Sequence, residues 1–491
     1  MALEKVADSL VAPVALTDEH ENPTPVQQAE YDEKMTKRLI RKIDRHVMPP
    51  LVILYLLSFL DRTNIGNARL SHLEEDLNLK GLDYNVALAI LYPFYVAAEI
   101  PSNLMMKLTR PSLWLPSTML AWAVCCTLMG LVHNYAGLLA ARAALGFAEG
   151  GLFPGINFYI TMWYQRHECG LRMSVFFSMA TAAGAFGGLL ARGISEMDGV
   201  AGKGGWAWIF ILEGIATFVV ALWALWAFVD YPDTAKFITE SERTEIYRRL
   251  EHDRGSLADE FDVKYVKQAF KDWKIYVHCL NFFCTFTSVY SFSLFLPTII
   301  KDLGYTDNKA QLMTVPPYVV ACFLCLSAGY ASDKVRTRGV IMIGFYLVAI
   351  IGLVMLDASH NAHVKYAGTF FFAAGVYPNV PQCMAWNGNN VGGSTKRSVA
   401  LALQAMAGNL GGILASFIYL KSDSPQFTKG HSILIGLLTL GATTCTLMTT
   451  YYRRENARRD AKHKAIAQYS LDEKASEREK GDSATFFRFT V

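Results

Sequence analysis

Long apolar segments alternate with short polar ones along most of the chain. A helix that crosses a bilayer needs about 20 mostly apolar residues, and the sequence contains twelve windows of this kind. They lie near residues 46–67, 84–106, 112–132, 136–163, 172–194, 206–229, 273–300, 310–331, 339–357, 364–385, 398–420 and 432–452. The pattern predicts an all-α membrane protein with twelve transmembrane helices.

Polar segments divide the predicted helices into two sets of six. The expected order is an N-terminal tail (1–45), a six-helix bundle (46–229), a central loop (230–272), a second six-helix bundle (273–452) and a C-terminal tail (453–491). We expect a helix near residues 239–253 of the loop. Both tails are polar and charged, so flexible outer ends are expected.

Basic residues beside the outermost helices indicate the orientation. Lys and Arg are enriched on the cytoplasmic flanks of membrane helices. Such residues precede the first predicted helix and follow the last one: Lys34, Lys37, Arg38, Arg41, Lys42, Arg45, Arg453, Arg454, Arg458 and Arg459. Both termini, and with them the central loop, are therefore expected to be cytoplasmic.

The two halves carry related segments. AGAFGGLLA starts at residue 183 and AGNLGGILA starts at residue 407, which is an offset of 224. The same offset superposes Phe153-Pro154 on Tyr377-Pro378 and Pro93-Phe94 on Pro317-Tyr318. We therefore predict two bundles related as parallel repeats, as in known transporters. The small residues of the repeated segment favour close helix contacts, including contacts between the halves: Gly184, Gly187, Gly188, Gly408, Gly411 and Gly412.

Composition excludes several other classes of protein. Only 18% of residues are charged and 52% are hydrophobic, whereas soluble domains carry about 25% charged residues. A net charge of +3 gives no reason to expect a nucleic-acid partner. Cys322 and Cys325 form a CxxC pair inside an apolar segment; a zinc site needs four ligands, so we interpret both as packing residues. No metal or cofactor is expected, and the absence of an HExxH motif or a nucleophile–base pair argues against an enzyme.

Charged residues inside the predicted membrane helices are the candidates for function. Such a charge costs about 2.5–3.5 kcal/mol at the bilayer centre on insertion scales. The first half contains Asp61, Arg62, Arg142 and Glu149, together with Glu99 and Glu213, for which we expect gating or anchoring roles near the helix ends. Arg142 and Glu149 are two helical turns apart and share a face. Asp61 and Arg62 diverge by about 100°, so we expect Asp61 to pair with Arg142 and Arg62 to face a cavity. A fixed structural network of these four residues is the alternative.

The second half lacks the corresponding charges. Thr285-Phe286, Tyr366 and Ala373 stand where the repeat places Asp61-Arg62, Arg142 and Glu149. The first half is therefore expected to bind an anion and couple its transport, and the second half to supply shape through aromatic and amide groups. The candidates there are Tyr290, Tyr377, Asn387 and Gln404, each of which also has a plain structural interpretation. His278 is interpreted as a packing residue with one hydrogen bond.

Several motifs resemble one family. GYASDKVRTR, residues 329–338, resembles the loop motif of the major facilitator superfamily, which implies a gating network of Asp333, Lys334, Arg336 and Arg338. The segments YLLSFLDRTNIGNARL, AEIPSNLMMKLTRPSLWLP, RAALGFAEGGLFPG and GGWAWIFILEG are similar to the fungal anion:cation symporter branch. The equivalent first-half loop, KLTRPS, lacks the Gly and Asp of the motif. The resemblance implies that the second helix lines the cavity, which adds Tyr92 and Tyr95 to the candidate substrate-binding residues.

The resemblance implies a monomeric carrier of a small organic anion in the plasma membrane. Moving one negative charge against the membrane potential costs about 2.3 kcal/mol per 100 mV, so at least one proton should accompany the anion. Asp61 and Glu149 are the predicted proton carriers, and Arg62 and Arg142 the predicted anion-binding cations. A nicotinate-like monocarboxylate is the first expectation for the substrate. Allantoate, ureidosuccinate, pantothenate, a vacuolar location and a transporter-like nutrient receptor remain open.

Overall fold

The computed structural model describes residues 33–254, 263–335, 337–462, 480–485 and 487–491. The chain divides into two compact units, residues 1–42 and 43–491. The described part of the first unit, residues 33–42, is helical. The second unit contains the remainder of the helical bundle, and the described residues form no strand.

Twelve helical units follow one another, as the sequence predicts. Their bounds are α1 Glu33–Leu70, α2 Asp83–Ala89 with Leu91–Leu108, α3 Pro111–Met129, α4 Tyr135–Glu149 with Leu152–Thr161, α5 Arg166–Ser195, α6 Gly205–Ala227, α7 Trp273–Asp302, α8 Asp307–Met313 with Val315–Val335, α9 Gly339–Ala358, α10 Ala362–Val376 with Asn379–Asn390, α11 Ser394–Ser416 and α12 Thr428–Lys462. The central loop contains the helices Glu240–Arg254 and Val263–Lys271, so the helix expected near 239–253 is confirmed. We call the membrane face at which α6 ends and α7 begins the connector face, and the other the opposite face.

Nine of these units are long and apolar enough to cross a membrane as one continuous helix among the residues described. The exceptions are α2, α4 and α10, each of which is broken into two shorter segments. In α4 the break follows Glu149 directly. Gly151 there has φ of +88°, a conformation that favours glycine, and a Cβ on Gly150 would lie 2.5 Å from Cβ of Ala98 on α2. Glu149 therefore lies at a break held by close packing of α4 on α2.

The internal repeat extends to the bounds of these segments. The two segments of α8, Asp307–Met313 and Val315–Val335, begin 224 residues after the two segments of α2, Asp83–Ala89 and Leu91–Leu108. The break at Ile90 therefore corresponds to the break at Thr314. In α4 and α10 the breaks differ from the repeat offset by three residues. The parallel repeat predicted from the sequence is thus visible in the helix geometry.

The repeated glycines lie at helix contacts, and part of them lie between the halves. A Cβ on Gly188 would lie 2.4 Å from Oγ1 of Thr314 on α8, and one on Gly412 would lie 2.2 Å from the ring of Tyr92 on α2. Gly184 similarly faces the ring of Tyr318. The other contacts, of Gly408 and Gly411, are with α7 in the same half. The prediction of close contacts between the halves is therefore confirmed for three of the six glycines.

The end of the chain is packed against the connector face, where the sequence predicted flexibility. Asp482 is buried and forms ion pairs with Lys274 of α7 and, at 2.5 Å, with Lys396 of α11. The indole of Trp386 donates to the carbonyl of Thr490 at 2.8 Å. The backbone N–H of Arg338 donates to Val491 at 2.6 Å. The expectation of a flexible outer end is therefore wrong for residues 480–485 and 487–491, because buried lysines recognise this segment.

We expect Asp482→Asn to release the C-terminal segment. The variant leaves two buried lysines with one carboxylate, Asp272, and removing one partner of a buried pair costs roughly 3–5 kcal/mol. Asp460→Asn is the matched control, because it removes an exposed pair with Arg488 worth about 0–1 kcal/mol. Amide hydrogen exchange of residues 487–491 measures the difference. Equal protection in both variants would contradict the prediction.

The same contact should depend on pH only in acid. Burial opposes ionisation of Asp482, but Lys274 and Lys396 outweigh burial and hold its pKa below the ordinary value. A native pKa below that of the unfolded chain stabilises docking at pH values above about 4, the ordinary pKa of Asp. This stabilisation is lost as pH falls through the native pKa. Protection of the segment should therefore be constant from neutral pH down to about pH 5.

Candidate functional site

The centre of the first half contains a buried ion pair. Arg62 of α1 is 6% exposed and Glu149 of α4 is 2% exposed. The guanidinium donates through Nη2 to Oε1 at 2.6 Å and through Nε to Oε2 at 3.3 Å. This is the bidentate geometry in which Arg binds carboxylates. The hydroxyl of Ser58, one turn before Arg62 on α1, also donates to Glu149.

Local sequence explains why the two charges meet. Ser58 and Arg62 are four residues apart and share one face of α1. Glu149 is the last residue of the first segment of α4, before the break at Gly150 and Gly151. The carboxylate thus faces α1 from a helix end that is fixed by packing. Because both partners are almost completely buried, each would be costly without the other.

Aromatic rings of both halves surround Arg62. Its guanidinium carbon lies 4.9 Å from the ring centroid of Tyr95 and 5.9 Å from that of Tyr290. The ring of Tyr92 lies 5.0 Å from that of Tyr290. Cations are attracted to the faces of such rings. The site therefore combines one cation, one carboxylate and a set of aromatic surfaces.

Tyr290 of α7 connects the ion pair to the second half. Its hydroxyl accepts from Nη1 of Arg62 at 2.8 Å and donates to the side-chain oxygen of Asn409 on α11 at 3.2 Å. Asn409 was a minor candidate in the sequence, and its place in this chain of hydrogen bonds depends on how α7 and α11 pack. The predicted aromatic contribution of the second half to the site is thus present at Tyr290.

The predicted pair between Asp61 and Arg142 is wrong. Asp61 accepts from the indole of Trp122 at 3.2 Å and from Thr217 at 3.0 Å, with Sγ of Cys126 at 3.7 Å. Arg142 donates to backbone carbonyls, that of Ala87 at 3.1 Å and that of Arg62 at 3.5 Å. The turn of about 100° between neighbouring residues directs Asp61 towards α3 and α6 instead of α4. Neutral groups satisfy both charges.

Three other candidate residues have polar partners within the second half. Tyr377 shares a hydrogen bond with Ser293 at 2.6 Å. Asn387 donates to Gln404 at 2.8 Å, and Gln404 donates to the carbonyl of Cys383 at 3.2 Å. All three are buried, and none of these bonds reaches Arg62 or Glu149. The structure therefore unites Arg62, Glu149, Tyr92, Tyr95 and Tyr290, and places the remaining candidates around them.

The loop between α8 and α9 forms part of the predicted gating network. Asp333 and Arg338 form an ion pair at 2.5 Å, and Arg338 also donates to Gln382 of α10 at 2.9 Å. A Cβ on Gly170 of α5 would lie 2.7 Å from both Asp333 and Arg338, so the loop contacts the first half. Lys334 is exposed. Arg336 lies outside the described residues.

The remaining polar candidates have structural roles. Cys322 and Cys325 lie near the carbonyls of Ser178 and Ser174 on α5, at 3.7 and 3.8 Å, so their interpretation as packing residues is confirmed. His278 forms one hydrogen bond, with Tyr452 at 2.9 Å. Among the described residues, no group of three His, Cys, Asp or Glu side chains could hold a metal ion.

Known proteins resemble this chain over most of its length. The family model of the Major Facilitator Superfamily matches residues 51–416. An uncharacterized transporter of Schizosaccharomyces pombe is 35% identical over 87% of this chain and 88% of that protein. The high-affinity nicotinic acid transporter of Saccharomyces cerevisiae is 29% identical over 91% of this chain and 82% of that protein. The crystal structure of a bacterial homolog of the human lysosomal transporter Spinster, inward-facing and unoccupied, is 14% identical with a TM-score of 0.62, over 82% of this chain and 96% of that one.

Replacing Tyr290 by Phe should loosen the contact between Arg62 and the second half. The variant keeps the ring but leaves one buried guanidinium donor unpaired, which costs roughly 1–3 kcal/mol. Tyr346→Phe is the matched control, because that buried hydroxyl bonds to Thr285 and Asn281 within the second half. Hydrogen exchange of α1 around Arg62 should rise in Tyr290→Phe and stay unchanged in the control. A rise of equal size in both variants would show that Tyr290 has no special role.

Proposed function

The chain belongs to the Major Facilitator Superfamily, and we propose that it is a proton-coupled carrier that imports a small organic carboxylate. The observation that supports this most is the bidentate pair of Arg62 with Glu149. A carboxylate substrate needs the same two guanidinium donors that Glu149 occupies. Substrate and Glu149 therefore compete for Arg62.

Protonation of Glu149 decides this competition. A neutral carboxyl group gives up most of its attraction for the guanidinium, so the fork of Arg62 becomes free for an external carboxylate. Ser58 and Tyr290 remain beside the exchanged groups, and Tyr290 still orients Nη1. When the substrate leaves, Glu149 loses its proton and binds Arg62 again. A proton thus enters and leaves with each anion.

Charge balance gives Asp61 a second role in coupling. Two cations, Arg62 and Arg142, are buried in this half. If Glu149 and Asp61 are both ionised, the four charges cancel. Protonating either carboxylate leaves a net positive charge in a medium of low dielectric, which favours entry of an anion. The distance-independent part of this effect lets Asp61 act without touching Arg62.

The membrane potential makes a second proton useful. Transfer of one anion with one proton moves no net charge, whereas a second proton lets a negative-inside potential drive uptake, by about 2.3 kcal/mol per 100 mV. The basic flanks of the first and last helices place the connector face in the cytoplasm. A plasma-membrane location then directs transport into the cell.

The lining of the site favours a flat aromatic carboxylate. Tyr92, Tyr95 and Tyr290 offer ring faces within reach of the guanidinium, against which an aromatic acid can stack. One relative is named as a nicotinic acid transporter. We therefore propose a nicotinate-like substrate. Allantoate, ureidosuccinate and pantothenate share the carboxylate and differ in needing amide or hydroxyl partners.

Uptake of labelled nicotinate by cells that express the chain tests this proposal. Uptake should rise as the external pH falls and should collapse with a protonophore. Competition by unlabelled nicotinate, allantoate and pantothenate ranks the substrates. Uptake of a carboxylate that ignores both pH and protonophore would overturn proton coupling. Failure of all carboxylates to be taken up, with the protein present at the cell surface, would overturn the substrate class.

We expect Glu149→Gln to separate exchange from accumulation. The amide resembles the protonated carboxyl in size and leaves Arg62 free for substrate, so counterflow of labelled for unlabelled substrate should persist. Accumulation driven by a pH gradient should be lost, because no proton can leave position 149. Glu168→Gln is the matched control, since it breaks the ion pair with Arg249, 2.5 Å long, outside the site. Full accumulation by Glu149→Gln in reconstituted vesicles would contradict a coupling role.

A further inference from the structure

Glu213 of α6 is buried without a polar partner. The residue is 4% exposed, and neither carboxylate oxygen has a hydrogen-bond partner among the residues that the structure describes. An ionised carboxylate in such a place would lose its hydration without compensation. The sequence suggested only an anchoring role for this residue, which would require a partner.

The surroundings of Glu213 connect it to Asp61. Thr217, one turn further along α6, donates to Asp61 at 3.0 Å, and residues four apart share a helix face. Cys126 of α3 has its sulfur 3.7 Å from Asp61 and 3.7 Å from the carbonyl of Phe210, which lies one turn before Glu213. Both carboxyl groups therefore face the space between α1, α3 and α6.

No cation compensates this space. Arg142 donates to two backbone carbonyls, and Arg62 is engaged by Glu149. The other titratable groups that face the space are the thiol of Cys126 and, further away, Glu149. Two carboxylates at close range without a base cannot both be ionised, because like charges and burial each favour a neutral form.

We propose that Asp61 and Glu213 form a carboxyl pair that binds protons at a site separate from the anion site. Asp61 has three donors, Trp122, Thr217 and Cys126, which stabilise its charged form. Glu213 has none. Glu213 therefore keeps its proton and Asp61 exchanges its own. The role of this pair in transport rests on the proposed function, whereas its protonation does not.

This division assigns each carboxyl group a task. Glu149 exchanges a proton in direct competition with substrate for Arg62. Asp61 exchanges a proton at a distance from substrate and changes only the net charge of the half. Glu213, held neutral, is the group from which Asp61 can accept a hydrogen bond after a rotation of either side chain, and it prevents a second negative charge from accumulating there. The pair acts as a positioning and storage element for one exchangeable proton.

Infrared spectroscopy of the purified full-length protein tests the pair without any substrate. The C=O stretch of protonated carboxyl groups at neutral pH should lose the intensity of one group in Glu213→Gln. Glu149→Gln is the control, because Glu149 is ion-paired and contributes no such band. Asp61→Asn should keep the Glu213 band and shift its frequency, since the neighbouring group changes. A Glu213→Gln spectrum equal to that of the unaltered protein would overturn the proposal, as would a band insensitive to Asp61→Asn.

A second variant covers the case in which Glu213→Gln fails to fold. Thr217→Val removes one donor from Asp61 and keeps the volume of the side chain. Asp61 should then hold its proton to higher pH, which appears as a protonated-carboxyl band that persists further into the alkaline range. No change in that titration would overturn the pair. If the bands behave as expected and uptake of every carboxylate fails, the proton site stands and the proposed transport function falls.

Discussion

The ion pair of Arg62 with Glu149 is the interaction around which this protein is arranged. Neither charge could be buried alone, since each ion costs several kcal/mol to remove from water. Their pairing requires that α4 end at Glu149, and Gly150 and Gly151 allow that end by close packing on α2. The pair is also the part of the site that an external carboxylate can enter by replacement. Stability of the empty protein and affinity for an anion thus draw on the same two donors.

Sequence reasoning identifies which residues matter here better than it identifies their partners. The cost of charge in a membrane selects Asp61, Arg62, Arg142 and Glu149 without any structure, and the structure finds all four buried. The partner of Asp61 is different from the predicted one because the choice depends on the rotation of α1 and on neutral donors from α3 and α6. An indole or a threonine hydroxyl gives no signal in a search for opposite charges.

The C-terminal segment shows a second limit of the same reasoning. Its composition is polar, which argues for disorder, yet Asp482 is buried between Lys274 and Lys396. Those lysines lie at the ends of apolar helices, where a basic residue ordinarily indicates the membrane interface. Only the three-dimensional arrangement shows that they need a carboxylate. The helices and the repeat, by contrast, follow from patterns that are local in sequence, so they were predictable.

The asymmetry between the halves has an energetic consequence for opening. Arg62 is bound to its own half by an ion pair and to the second half by the hydroxyl of Tyr290. Breaking a buried ion pair costs roughly 3–5 kcal/mol, whereas a neutral hydrogen bond is worth about 0.5–1.5 kcal/mol. Other polar contacts between the halves are similarly weak: Asn85 donates to a backbone carbonyl, and Lys421 pairs with Glu74 while largely exposed. Separation of the halves therefore breaks the weaker bonds and keeps the charges paired, until a proton on Glu149 makes the strong bond replaceable by substrate.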